Sequence, residues 1–544
     1  MNHITFHTWN AWPGRLAAAI VVTLLSAFSI AAHAAVPGIT GPTFDLTAAE
    51  TRLNQPDGAS VYSWAYGCNP RTKPAFLPSV NPLDGQICQN AQVPGPTLIV
   101  NQNDVVTITL TNNLPPAAGN TSMLFPGFQV CSGTLDPNTG ICSGTPTGVQ
   151  GLLAREAQTG KTVTYTFVAS TPGTHAYYSG TQGDLQIEMG LYGALIVLPT
   201  SVAAPHTVVV PQGCRAVAST LPDGQPDYRN AAAAYDHSMA CYDREYIFQF
   251  SEVDPAIHAQ AEQQAGLPCT QPTGCMLVQT EPYHPAYFMI NGRSMPDDMD
   301  SNYAPQYPNQ PYNGNPHMHP GEMVLLRIIG TGRWQHPFHE HGNHVRILAR
   351  DGNLLLAAND ATKLAGPLLF TTTTTPGVAM DGIFYWTGKG LNWDVYAHKP
   401  GDGTICVPDA NGYYTKDSNP PAPLTAPNYY EWCEDHQKPL EANPTGDVAS
   451  GGPVTLPDPN ILTNGAWYGG SPYLGPDATI RAVGATGTTP PSSLVVNPPS
   501  TEAGFAYMWH SHNEREITTN NIFPGGMMMM MLVDPQAFKI NESN

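Results

Sequence analysis

The chain has 544 residues and a formal charge of −20, with only 12% charged side chains. That is enough length for two or three domains, each burying its own core, and no basic stripe exists to meet phosphates, which excludes nucleic acid as a partner. The 51 glycines and 54 prolines leave little room for long helices, and 41% hydrophobic residues exclude disorder, so the composition points to all-β sandwiches with long loops.

In chain order, Arg15 precedes an apolar run from Leu16 to Ala32 that ends at Ala32-His-Ala34. This is the pattern of a signal peptide over 1–34, and the run is short for a membrane span. Export to the periplasm or the extracellular space is therefore expected, with no span left after cleavage. Ten cysteines fit such an oxidising compartment. Nearest-neighbour pairing gives Cys68 with Cys88, Cys131 with Cys142, Cys214 with Cys241, Cys269 with Cys275 and Cys406 with Cys433.

Strands are expected at Leu98-Ile-Val100, Val105-Val-Thr-Ile-Thr-Leu110, Thr162-Val-Thr-Tyr-Thr-Phe-Val168 and Gly190 to Val197. They build a first domain over 35–202, closed by a linker from Pro199 to Pro205. A second unit, 203–544, opens with His206 to Val210 and Glu245 to Phe250. Its alanine-rich pieces, Asn230 to Ala234 and Ala256 to Ala265, read as short helices. Glu322 to Ile329 and His344 to Ala349 are further strands, and 385–500 is a loop-rich insertion. Gly504 to His510 and Met527 to Val533 close the chain. A three-domain parse, with 203–310 as a middle sandwich, is the alternative.

Between two of these strands lies Trp334-Gln-His-Pro-Phe-His-Glu-His-Gly342, which places His336, His339 and His341 within six positions. His339 and His341 are spaced i, i+2 and leave one face of an extended strand together. Met508-Trp-His-Ser-His512 repeats the spacing with His510 and His512, so the two pairs on neighbouring strands would surround one point. Imidazole suits several metals, and spacing alone does not choose among them. His317 and His319 form a third such pair, approaching the same site or making another. Met527 to Met531 reads as core packing, with a cuprous site on outward Met528 and Met530 as the lesser alternative.

The chain resembles the multicopper oxidases, which are built from cupredoxin-type sandwiches. The resemblance rests on Val93-Pro-Gly-Pro-Thr97, Gly190-Leu-Tyr-Gly193, Phe288-Met-Ile-Asn-Gly292, His336-Pro-Phe-His-Glu-His-Gly342 and Trp509-His-Ser-His512. It implies two cupredoxin-like Greek-key domains and copper as cofactor. It also marks departures. Leu124 and Pro126 stand where the first histidine pair is expected, and Tyr178 and Gly180 where the second is, with His175 at a different offset. Ser511 replaces the cysteine of a blue copper site, and Glu516 replaces the histidine four residues after His512. His336 is the blue-copper ligand left over, without its partners and so structural or supporting.

What remains is one copper on His339, His341, His510 and His512, with Glu340, Glu514 and Glu516 as candidates to orient the imidazoles and Glu514 or Glu516 as proton shuttle. The expected function is an exported copper oxidoreductase with a mononuclear site, taking electrons from a small-molecule or metal-ion reductant. The alternative is a non-catalytic copper-binding or scaffold protein. Zinc-dependent hydrolysis ranks last, because no substrate pocket is evident. The resemblance further implies a homo-oligomer.

Overall fold

The alternation of Val105-Val-Thr-Ile-Thr-Leu110 becomes the strand Val105–Asn112, in which Val106, Ile108 and Leu110 are buried and the threonines between them lie nearer solvent. β-Branched residues at period two suit a half-buried pleat. In the computed structural model of the chain, the described residues are 36–70, 74–78, 88–201, 207–221, 224–271, 274–389, 403–433, 470–473 and 504–542, less 535, 537 and 541. The expected signal peptide and most of the 385–500 stretch lie outside them.

Val105–Asn112 pairs with Thr162–Val168 on one side and, in parallel, with Thr43–Asn54 on the other; Ser60–Cys68 completes that four-stranded sheet. Facing it is a sheet in the order Gly173–Tyr178, Tyr192–Leu198, Leu98–Asn101, Gly38–Thr40, Phe76–Leu77. Their shared core holds Phe44, Trp64, Tyr66, Leu98, Ile108 and Phe167. Each such fully buried side chain stabilises the fold by roughly 1.5–3 kcal/mol.

The second pair of sheets carries the histidine motifs. One runs Tyr287–Ile290, Arg244–Val253, Met323–Gly330, Ala379–Tyr385, Val345–Arg350, Asn353–Leu354. The other runs His317–Met318, Met528–Val533, Gly504–Ser511, His336–Glu340, Thr371–Thr374. Phe248, Phe250, Phe338, Phe384 and Trp509 fill the space between them together with Met527, Met529 and Met531. The methionine run is thus mostly core, as thioethers adapt to irregular apolar gaps. Met528, expected on the outside as a lesser alternative, is also buried, and Met530 is half-buried with its backbone N–H near Met299 Sδ.

The two units are joined by an apolar seam, Ile99, Ala176, Ala194 and Ile196 against Ile247, Ile329 and Ala379. A buried ionic knot lies beside it. Arg327 donates to Glu245 Oε2 at 2.9 Å and to Thr174 Oγ1 at 3.0 Å, while Thr174 Oγ1 donates to Asp381 Oδ1 at 2.6 Å.

Of the two expected helices, Pro255–Ala265 forms, with Pro255 in its first turn and the Asp254 side chain capping Ala256 N at 2.9 Å. Asn230–Ala234 does not. Its backbone donors are taken from outside: Ala231 N–H by Tyr242 Oη and Ala234 N–H by Ala240 O, leaving no helical ladder to form. The expected strand at 206–210 is reduced, within the described residues, to a bridge between Val208 and Thr200. Four of the neighbour disulfides are present: Cys68–Cys88, Cys131–Cys142, Cys214–Cys241 and Cys269–Cys275. Cys406 and Cys433 come together in one small cluster with Tyr414.

Candidate metal centre

The register of the second unit sets the site. His336–Glu340 runs antiparallel to Gly504–Ser511 with His339 directly opposite His510, and His512 N–H extends the ladder to Pro337 O at 2.8 Å. Alternation then sorts the side chains. Phe338 and Trp509 enter the core, and His339, His341, His510 and His512 leave by the other face. Gly342 ends the strand at φ 100°, and a Cβ there would meet the Tyr507 ring at 3.0 Å, so both conformation and space call for glycine.

On that outer face the four imidazoles form one cluster. Ring centroids are 4.7 Å apart for His339–His341, 5.0 Å for His339–His512, 5.2 Å for His341–His510, 5.5 Å for His510–His512 and 5.6 Å for His339–His510. His339 and His510 are buried, while the His512 side chain is 56% exposed. His339 Nδ1 is bonded to Thr371 Oγ1 at 2.8 Å, and His510 Nδ1 to Ser511 O at 2.7 Å. An Nδ1–H donated in each case sets the tautomer whose Nε2 carries the lone pair. Burial lowers the pKa of His339, and the neighbouring His341, His510 and His512 push it further, to about 4. Burial likewise lowers that of His510. These rings are therefore neutral, the form that binds metal.

His341 Nε2 and His510 Nε2 stand 3.3 Å apart. Two nitrogens each about 2.0–2.1 Å from a shared ion at a tetrahedral angle are separated by about 3.3 Å, so this pair already has the spacing of two ligands. A hydrogen bond between one Nε2–H and the other nitrogen accounts for it equally when no ion is bound. Among the described residues no group of three or more histidine, cysteine or carboxylate donors is set around one point. The donor set fits a copper or zinc ion in its chemistry, with one pair in place.

The opposite, core-facing side of the same two strands holds a different device. His336 is fully buried between two carboxylates: its Nε2 lies 2.9 Å from Glu252 Oε2 and its Nδ1 2.8 Å from Glu516 Oε2. Ser511 Oγ donates to the same Glu516 oxygen at 2.5 Å, and Asn513 Nδ2 to the other at 2.9 Å. Burial pulls the His336 pKa down, but the bonds to Glu252 and Glu516 outweigh it and hold it at about 9. The three positions at which the resemblance locates blue-copper ligands, His336, Ser511 and Glu516, thus form a hydrogen-bonded imidazolium clamp. Both imidazole nitrogens are committed to carboxylates and no thiolate is present, so a blue copper ion does not fit.

The remaining candidates are dispersed. His317 Nδ1 bonds Asp534 Oδ2 at 2.7 Å; His319 bonds Glu322 Oε1 at 3.2 Å and Phe538 O at 2.7 Å. Their strand lies at the far edge of the sheet, with two strands between it and His336–Glu340. Glu514 is 84% exposed, 3.9 Å from His512 Nδ1, whereas Glu516 faces inward, away from the cluster. Glu340 also points to the core, bonded by Thr372 Oγ1 at 2.5 Å; burial raises its pKa to about 8 against that bond. Thr371 and Glu252 are the residues that motif reading missed. Thr371 carries no motif signal. Glu252 carries none either, and only the fold shows it to lie in the wholly buried strand Arg244–Val253.

In the first unit Leu124 and Pro126 line a cavity of about 610 Å³ with Met123, Phe125, Phe128 and Tyr165. Tyr177 is in the core, its hydroxyl donated to Pro96 O at 2.7 Å.

Residues 78–201 match the multicopper oxidase family. A multicopper oxidase from Talaromyces pinophilus is 33% identical over 123 residues, 22% of this chain and 18% of that protein. A laccase from Aspergillus fumigatus is 34% identical over 110 residues, 20% of this chain and 16% of that protein. The chain thus spans under a fifth of the length of these relatives. Among solved structures, the multicopper oxidase mgLAC is 15% identical with a TM-score of 0.44, covering 90% of this chain and 86% of its own. A blue copper oxidase from Nitrosomonas europaea is 16% identical with a TM-score of 0.42, covering 90% and 85%. The likeness to the multicopper oxidase family therefore rests on residues 78–201, under a quarter of the chain.

Proposed function

We propose that the chain is an exported copper oxidoreductase of multicopper-oxidase type, working at one copper ion held by His339, His341, His510 and His512. The observation that carries this reading is the 3.3 Å approach of His341 Nε2 to His510 Nε2, inside a cluster of four rings from two distant segments. Copper is the cofactor that the likeness of residues 78–201 to multicopper oxidases implies, and when bound it would supply one-electron cycling between its cupric and cuprous forms.

The chain's own residues do the rest. Thr371 and the Ser511 carbonyl fix the ring orientations through Nδ1, as outer partners of metal-ligating histidines do. Burial of His339 and His510 keeps them neutral and limits water. The exposed His512 leaves one side open to a small-molecule or metal-ion reductant. His336, His317 and His319 belong to internal ion pairs in this reading, and Glu514, exposed beside His512, is the carboxylate that exchanges protons with solvent. No helix of the described residues is long and apolar enough to cross a membrane.

The imidazolium clamp in place of a blue copper favours one second reading: a copper-binding protein without turnover. Oxygen uptake with phenolic or metal-ion reductants decides between them. Copper-loaded protein should oxidise at least one such reductant and His510→Ala should lose the activity; turnover that survives His510→Ala sinks the assignment, and stoichiometric copper without turnover selects the second reading.

A further inference from the structure

Without a thiolate-bound copper, electrons need another way from the surface to the histidine cluster, and an aromatic pair beside the clamp offers one. Trp334, two residues before His336, is 37% exposed. Its ring meets Tyr283 edge to face, with centroids 5.4 Å apart at 90°, a favourable geometry for aromatic contact. Tyr283 is buried, and its hydroxyl donates to Glu188 Oε2 at 2.6 Å, with Glu252 Oε1 at 3.3 Å. The Arg333 guanidinium lies 4.1 Å from the centre of the Tyr283 ring. From Glu252 the bonded chain continues through His336 and Glu516 to Ser511, the residue between His510 and His512.

We infer that Tyr283 is a redox-active relay, passing single electrons from an aromatic reductant docked on Trp334 toward the copper site. This rests on the copper reading above and extends it. When the Tyr283 O–H bond breaks, its proton moves to the Glu188 carboxylate and one electron leaves the ring toward the cupric ion, the oxidant. A neutral phenoxyl remains. The reductant then returns one electron through Trp334, and Glu188 returns the proton.

Three features suit the residue to this work. Oxidising a phenol makes its proton strongly acidic, and a base within hydrogen-bond reach is required to take it; Glu188 is that base. Burial, with Glu188 and Glu252 nearby, holds the phenol pKa well above its ordinary value, so the proton is in place at rest. The cation over the ring disfavours loss of an electron without loss of the proton, which couples the two.

The test uses metal-free protein, so its outcome is independent of copper binding. Photo-oxidation by a ruthenium tris-bipyridine sensitiser with persulfate, followed by freezing, gives radicals that electron paramagnetic resonance identifies. Wild type should show a neutral tyrosyl signal. Tyr283→Phe should lose it and show a neutral tryptophan signal instead, and adding Trp334→Phe should remove that too, with circular dichroism verifying the fold of each variant. A tyrosyl signal undiminished in Tyr283→Phe, or a tryptophan signal that persists in the double variant, overturns the relay.

Discussion

Replacing Glu516 by glutamine tests the core-facing clamp. In the wild type, Glu516 Oε2 accepts from His336 Nδ1 at 2.8 Å and from Ser511, and Oε1 accepts from Asn513. Glutamine removes the negative charge and turns an NH2 toward either an imidazolium N–H or the Asn513 amide, donor against donor. Breaking one partner of a buried ion pair costs about 3–5 kcal/mol. Here Glu252 remains on the other nitrogen, so the lower end, about 3 kcal/mol, applies. The assay is urea unfolding at pH 6, read as a fall in midpoint at unchanged slope. The pH dependence carries a second signature. Because the folded-state pKa of His336 is raised to about 9 from the ordinary 6.5, its contribution is full below about pH 6.5 and is lost as pH climbs through 9. Glu516→Gln should flatten that alkaline decline. Equal midpoints at pH 6, or an unaltered alkaline slope, would refute the clamp.

Two further outcomes follow from the same geometry. Ser511→Cys alone should not create an intense blue absorption on copper addition, because His336 stays bonded to Glu252 and Glu516; a blue band in that variant would show that the clamp opens to metal. Arg327→Ala leaves Glu245 and Asp381 buried without their cation, and calorimetry should register a loss of about 3–5 kcal/mol. Stability within 1 kcal/mol of wild type, roughly the worth of a surface pair, would mean the knot between the two units is not ionic.

Period-two alternation made the strands legible, and the i, i+2 histidine pairs made the cluster legible, because on a strand that spacing dictates a shared face. The same rule, pressed further, would have sent His336 and Ser511 to the opposite face from His339 and His510. What the sequence could not disclose was long-range pairing. Glu252 sits 84 positions before its partner His336, and only the fold puts Arg244–Val253 behind the motif. Asn230–Ala234 was misread for a related reason: alanine propensity gave way to donors captured by Tyr242 and Ala240.

Copper content measured together with the electron paramagnetic resonance and visible spectra bears most directly on the central proposal. The account predicts one cupric ion per chain without intense blue colour in the wild type, and its loss in His339→Ala/His510→Ala. Undiminished copper in that double variant would contradict it.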